Sequence, residues 1–512
     1  MSSKMLAGVL IILLAATLAF VRCLPNDIFW DDEILLNQRL SPENCRNIGD
    51  VWAQPYWGLT SGPADTYRPL SLSVIYLEHL AFGQAHAPYR AISILIHAIN
   101  SLLVFYLVSK LAGRAIGWPA ALLFAVHPVH VEAVAMIYGQ LELISFMFIM
   151  LALITYQQAL AAPSKARPMA LALLFGFLAY CSKESALMLP ALMVLLRLCY
   201  HPVAESSAHE PVGKRFISGL GWEICFGLIA IPYLVLRFQA LGGLAPDAAN
   251  TVSSGYSTVG RIHAVIVAVA HGLRLCTVPM GQSLYYGHLR DSVFGRPTNE
   301  ILWLVIAATC LWMLVSEIGR RALIFGIGWY LLALAPVANI IPSGVLVAER
   351  TLYLPSFGIC FLGGALVQRF ISAEIVKPAA VRLIFASVLI LYASASTVVA
   401  GRLRTAETHW RSTVQSHPRS PLAHEQLGQV ILKRLLASNA PPSAPELDEA
   451  NAHFQKAFEL NSTLAESLMG QAIVARLKGD KAALEALYRK LIETNPQATI
   501  QIQAMKNLLE KP

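Results

Sequence analysis

Eleven runs of mostly apolar residues, strung across the first 401 positions, constrain this chain more than anything else in it. A helix that crosses a bilayer needs about 20 such residues. In lipid, a helix also satisfies all its backbone polar groups internally. The runs fall at 5–24, 88–112, 116–137, 140–162, 167–181, 184–201, 219–239, 299–317, 321–341, 352–370 and 379–401. The 167–181 run is short enough to be tilted or partly re-entrant. Charged residues make up 14% of the chain, against about 25% in a soluble domain. An all-α, polytopic membrane bundle of about 11 spans is therefore expected.

The net charge of +8 would suit a nucleic-acid partner, but the cations do not form a patch. Lys110 and Arg114, Lys165 and Arg167, and Lys214 and Arg215 follow every second run. That alternation reads as a topology signal, so no nucleic acid is expected. It puts the N-terminus in the cytoplasm and makes 25–87 the first extracytoplasmic loop. The stretch 261–280 breaks the pattern, because Arg261, His263, His271 and Arg274 interrupt it. Each charge at bilayer depth costs about 2.5–3.5 kcal/mol even on lenient scales. A re-entrant or cavity-lining helix is expected there. The first run is long for a secretory signal and lacks a small-residue cleavage site, so it reads as a retained anchor. Cys181, Cys199, Cys225, Cys276, Cys310 and Cys360 lie scattered in or beside apolar runs, no CxxC or Cys/His ligand spacing appears, and no zinc site is inferred.

Past residue 402 the apolar runs stop. Ala450, Phe454 and Ala457 recur 34 residues later as Leu484, Tyr488 and Leu491, and Glu459-Leu460-Asn461 recurs as Glu493-Thr494-Asn495. This period, with Gly479-Asp480 as the turn and Pro496 as the close, matches the second helix of a tetratricopeptide repeat. Two repeats plus a last helix near 497–510 would form a short TPR α-solenoid. The division expected is 1–401 for the membrane domain and 402–512 for the helical tail.

Polar residues cluster in four segments expected outside the membrane. The first, Phe29-Trp30-Asp31-Asp32-Glu33, sets paired carboxylates beside aromatic rings just after the first span. Acids near lipid are costly unless they have a role. Asp31 or Asp32 could act as general base on an acceptor hydroxyl, or could cap the helix that follows. The second is Tyr67-Arg68-Pro69, where Arg68 suits a two-toothed grip on phosphate or simple snorkelling toward headgroups. The third is His127-Pro128-Val129-His130-Val131-Glu132, followed by Gln140 and Glu142. A metal site is conceivable, but Pro128 disturbs the helical spacing between the histidines. Hydrogen bonds from His127, His130 and Glu132 to a sugar or to the acid pair are preferred, and no metal is assigned. Lys183, in Ser182-Lys183-Glu184, adds a cation between two spans. The fourth is Ala348-Glu349-Arg350-Thr351-Leu352-Tyr353, where Arg350, with Tyr353 a turn away, could clamp a lipid phosphate. Glu349 and Arg350 could equally form a mere interfacial pair.

In order along the chain stand Trp-Asp-Asp, Tyr-Arg-Pro-Leu at 67–70, His-Ala-Ile-Asn-Ser-Leu-Leu-Val-Phe at 97–105, Leu-Phe-Ala-Val-His-Pro-Val-His-Val-Glu-Ala-Val-Ala at 123–135, Ser-Lys-Glu at 182–184 and Ala-Glu-Arg-Thr-Leu-Tyr-Leu-Pro-Ser at 348–356. The set resembles the transmembrane-and-tetratricopeptide (TMTC) O-mannosyltransferases and their bacterial relatives, over nearly the whole length. The resemblance implies a GT-C glycosyltransferase that takes a sugar, mannose or similar, from a polyprenyl-phosphate donor. It implies no cofactor and an acceptor hydroxyl on a protein or glycan, engaged through the repeats. It also implies that Asp31, with Asp32 beside it, is catalytic, and that Arg350, with Arg68 and Lys183, holds the donor phosphate. Glu349, Tyr353, His127, His130 and Glu132 would line the substrate site. Gly139-Gln140-Leu141-Glu142 departs from the family's Gly-Arg-Ala-Asp, which puts one donor contact in doubt. The short tail favours a bacterial inner membrane over the endoplasmic reticulum. A transporter or flippase of a lipid-linked saccharide is the alternative. Halves related by hydropathy symmetry would favour it, and none are seen.

Overall fold

The computed structural model describes residues 3–58, 66–161, 164–200, 220–243, 257–284, 286, 297–338, 340, 347–438, 443–462 and 464–494. Among these there are helices and turns but no strand. They divide into two compact units, one of residues 1–284 and 289–401, the other of 285–288 and 402–512.

In the first unit, eight described helices are long and apolar enough to cross a membrane: Met5–Cys23, His86–Ala112, Ile137–Ala161, Gly221–Leu241, Thr258–Thr277, Glu317–Val337, Glu349–Ser372 and Pro378–Arg402. This is an integral, multi-pass membrane protein. The count falls short of eleven for local reasons. The run at 116–137 is broken at His127-Pro128 into Arg114–Val126 and Pro128–Ala135, which meet at 49°. Proline removes an N–H and crowds the preceding turn, so it breaks a helix there. The run at 184–201 becomes a tight turn, Glu184–Met188, and then a helix of 12 residues, Leu189–Tyr200. Ala166–Ser182 and Glu300–Leu314 are apolar but shorter.

The stretch expected to be re-entrant needs correction in part. Thr258–Thr277 is one unbroken 20-residue helix of spanning length. Its end does line a cavity, through Leu273, Cys276 and Thr277. Burial separates the centre of the bundle from its rim. In the most apolar 18 residues of Ile137–Ala161, 83% are buried within the protein, whereas in Pro378–Arg402 only 11% are, the rest facing outward.

The second unit is a run of antiparallel helices: Ala406–Ser416, Pro421–Ala437, Ala444–Leu460, Ala465–Leu477 and Lys481–Thr494. Residues 34 apart share an environment: Ala450, Phe454, Ala457, Leu484, Tyr488 and Leu491 are all buried. The Phe454 ring packs against Gly428 and Gly470, where an added Cβ would lie 2.9 Å and 2.5 Å from it. Pro496 and the helix expected near 497–510 lie outside the described residues.

Candidate active site

The site begins where the first helix ends. Trp30 adopts φ +53°, ψ −127°, a conformation that costs a non-glycine residue about 1–3 kcal/mol. Its carbonyl accepts the N–H groups of Glu33 (3.0 Å) and Ile34 (3.2 Å). The reversal at Trp30 opens the short helix Asp31–Ile34 and sends the two acids in different directions.

Asp32 is fully buried. Its carboxylate accepts the backbone N–H of Ile137 (3.0 Å) and of Tyr138 (2.9 Å), and it lies 3.8 Å from Arg90 Nη2. Burial pushes its pKa up to about 6, against the pull of Arg90 and the two amides. Asp31 is half-buried, and its carboxylate makes no hydrogen bond among the described residues. Burial raises its pKa as well; Arg350 and Arg68 oppose that rise and Glu132 adds to it. Asp31 therefore sits in the field of both arginines with its oxygens uncommitted.

Each cation expected to grip phosphate already has a carboxylate partner. Arg350, in the tight turn Glu349–Leu352, donates its backbone N–H to Glu132 Oε2 (2.8 Å) and its Nη1 to Glu132 Oε1. Its guanidinium lies over the Tyr138 ring at 4.8 Å, and the Tyr138 hydroxyl donates to the same Glu132 oxygen (3.1 Å). Arg68 grips Glu184 with two nitrogens, at 2.6 and 2.8 Å, and stands over Tyr56 at 5.4 Å. Although burial raises Glu184, Arg68 holds it down at about 2. Lys183 pairs with Glu142, and both are buried. Arg350 and Arg68 keep 21% and 15% exposure, so each still presents donor groups; Lys183 keeps 4%.

Other expected site residues are hydrogen-bonded within the bundle. His127 Nδ1 accepts the N–H of Val129 (3.2 Å), so Nε2 carries the proton and donates it to Cys276 O (3.0 Å). His130 pairs with Phe124 O (3.0 Å) and Ser356 Oγ (2.8 Å). Tyr353 is buried, its hydroxyl 2.8 Å from His97 Nδ1 and 3.1 Å from Asn100 Nδ2. These three side chains are buried and hydrogen-bonded between helices, and His127 also lines an apolar cavity with Cys276 and Tyr392. Glu349 accepts Ser283 N–H (2.7 Å) and Gln282 Nε2 (3.2 Å) rather than pairing with Arg350. Among the described residues no group of three or more His, Cys, Asp or Glu could hold a metal ion.

Sequence reasoning missed Arg90 and Tyr138, and did not see that Glu142 and Glu184 are the carboxylate partners of Lys183 and Arg68. Arg90 had a visible signal, a lone guanidinium near the start of a 27-residue apolar helix. In the departure motif, Gln140 donates to Glu78 (3.0 Å) and to Tyr89 O (3.0 Å), while Glu142 serves Lys183. Gly139 is required sterically. A Cβ there would lie 2.6 Å from Ala133 O and 2.8 Å from Ala133 Cα, both backbone atoms that cannot rotate away. Gly139→Ala is expected to destabilise the protein by about 1–3 kcal/mol, the usual range for overpacking. A thermal melt of the purified variant checks this, and an unchanged midpoint would refute the close approach.

Comparison with known proteins bears on this pocket. The family model described as dolichyl-phosphate-mannose-protein mannosyltransferase matches residues 69–213. Protein O-mannosyl-transferase TMTC4 of Mus musculus is 25% identical over 82% of this chain and 63% of its own length. The Homo sapiens TMTC4 protein is 26% identical over 81% and 62%. The chain thus spans somewhat under two thirds of these relatives. An Archaeoglobus fulgidus oligosaccharyltransferase aligns over 87% of this chain and 59% of its own at 14% identity, with a TM-score of 0.43. The family-model match takes in the segments that supply Glu132 and Lys183 and ends well before Arg350.

Proposed function

We propose that this chain is a membrane glycosyltransferase that moves a sugar, mannose or a close analogue, from a polyprenyl-phosphate donor to a hydroxyl of a protein or glycan. One observation carries the reading: the two adjacent acids are differently committed. Both Asp32 oxygens hold backbone amides, while Asp31 keeps its carboxylate open beside Arg350 and Arg68. In the reaction, the acceptor oxygen bonds to the anomeric carbon as the bond from that carbon to the phosphate oxygen breaks. The electron pair leaves on the polyprenyl phosphate, and the hydroxyl proton passes to Asp31. Fixed cations at the departing anion supply the electrostatic stabilisation such a step needs. A phosphate leaving group needs little acid assistance, so one base suffices.

An apolar cavity of about 540 Å³ supports a lipid-linked donor. Its walls include Cys276, Ile359, Gly363, Val388 and Tyr392. Ile359 is nine residues beyond Arg350, about 14 Å along a helix at 1.5 Å per residue. An isoprenoid tail could therefore run down the helix whose start holds its phosphate. The 34-residue pattern supports reading the tail unit as a short tetratricopeptide array that engages the acceptor.

The test uses the purified protein in liposomes with polyprenyl-phosphate mannose and a Ser/Thr-rich peptide. Mannose should appear on the peptide, with an equal amount of polyprenyl phosphate released. A donor lipid that crosses the bilayer while the peptide stays unmodified would replace this reading with a flippase.

A further inference from the structure

We propose that Arg90 and Asp32 are positioning residues that together register the loop bearing Asp31 against the Tyr138–Glu132–Arg350 group. The inference rests on the transferase reading for its effect on rate, but not for its structural content.

Arg90 is fully buried near the start of the helix His86–Ala112. Its guanidinium joins three pieces of chain. Nε donates to Ala135 O (2.9 Å), Nη1 to His86 O (3.2 Å) and Nη2 to Asp27 O (2.8 Å). Asp27 belongs to the loop that leads to Trp30 and Asp31. Ala135 ends the helix Val131–Ala135, which carries Glu132. Asp32 closes the arrangement from the other side, through Ile137 N–H and Tyr138 N–H. Tyr138 then reaches Glu132 with its hydroxyl and lies under the Arg350 guanidinium. Asp32 thus acts on Arg350 through one residue, Tyr138.

The chemistry suits Arg and not Lys. A planar fork can serve three separate carbonyls in fixed directions, whereas an ammonium on a flexible stem cannot hold the same geometry. Asp32 needs both oxygens as acceptors. An amide in its place offers one acceptor and would face the second N–H with a donor. Neither side chain is exposed to a substrate, so neither is a catalytic residue. The bland account is a buried pair that only adds stability. It differs from the positioning account in one way that can be measured: it predicts no local loosening at 137–138 and no change in rate once the protein is folded.

Hydrogen exchange on the liposome-embedded full chain reads that difference directly. In Asp32→Asn and Arg90→Lys, the peptide covering residues 136–139 should exchange at least about tenfold faster. Peptides from the middles of His86–Ala112 and Gln140–Ala161 should be unchanged, since opening free energies differ between local segments. Turnover of the same variants should fall about a hundredfold in kcat, the cost expected for roughly 1 Å of misplacement. KM for the donor should change much less. The double variant should lose little beyond either single, because the two residues act as one unit. Unchanged protection at 136–139, or uniform loosening of every helix, overturns the proposal. Lost protection with full kcat shows that the pair fastens the loop without positioning anything, and also overturns it. If the wild type transfers no sugar, the transferase reading fails while the exchange result still stands on its own.

Discussion

Asp31→Asn is expected to insert and melt like the wild type but to lose about 10²–10⁴-fold in transfer rate, the contribution typical of a positioned general base. The asparagine keeps the size of the side chain and leaves Asp32 bound to its two amides. It cannot accept the acceptor's proton. The wild-type rate also carries a signature. Burial raises Asp31 above the ordinary carboxylate value of about 3.9. The base form is therefore lost as pH falls through that raised value, and turnover should drop on the acid side at a higher pH than an exposed aspartate would give. The residual rate of Asp31→Asn should lack that limb. Transfer within twofold of wild type at all pH values would remove Asp31 from the base role and send the search to Glu132.

The second large effect is on stability. Lys183→Met is expected to destabilise the protein by about 3–5 kcal/mol, because it leaves the Glu142 carboxylate buried without its counter-ion. Replacing both members, as Lys183→Met with Glu142→Leu, should recover most of the loss, since apolar residues of similar size often do as well as a buried pair. Melting of the two singles and the double in detergent gives the cycle. A single-variant loss below about 1 kcal/mol would show that water reaches the pair. The Arg68–Glu184 pair, with 15% and 27% exposure, should yield a smaller penalty on the same test.

The helical architecture was legible because spanning length and low charge are properties of local sequence. The meeting of the scattered motifs was legible only through their resemblance to a family, since Arg350 and Glu132 are 218 residues apart. Counting spans went astray where a single residue overrules hydropathy, as Pro128 does. The neutralising partners stayed hidden for a different reason. A cation in a loop looks available in sequence, and only the fold shows which acid it meets. The packing bonds of His127, His130 and Tyr353 were also hidden, because buried polar side chains in a membrane bundle need partners as much as substrate ligands do. The distinction between Asp31 and Asp32 turns on a backbone reversal at Trp30 that no side-chain pattern announces.

The ready-made partners of Arg350 and Arg68 bear on how the cycle ends. A spent lipid anion gripped by bare guanidinium groups would leave slowly and stall the next turnover. Glu132 and Glu184 stand beside those groups throughout, so each can reclaim its arginine as the product departs. Under the proposed reaction, such competition would weaken the hold on incoming donor and in exchange clear the pocket.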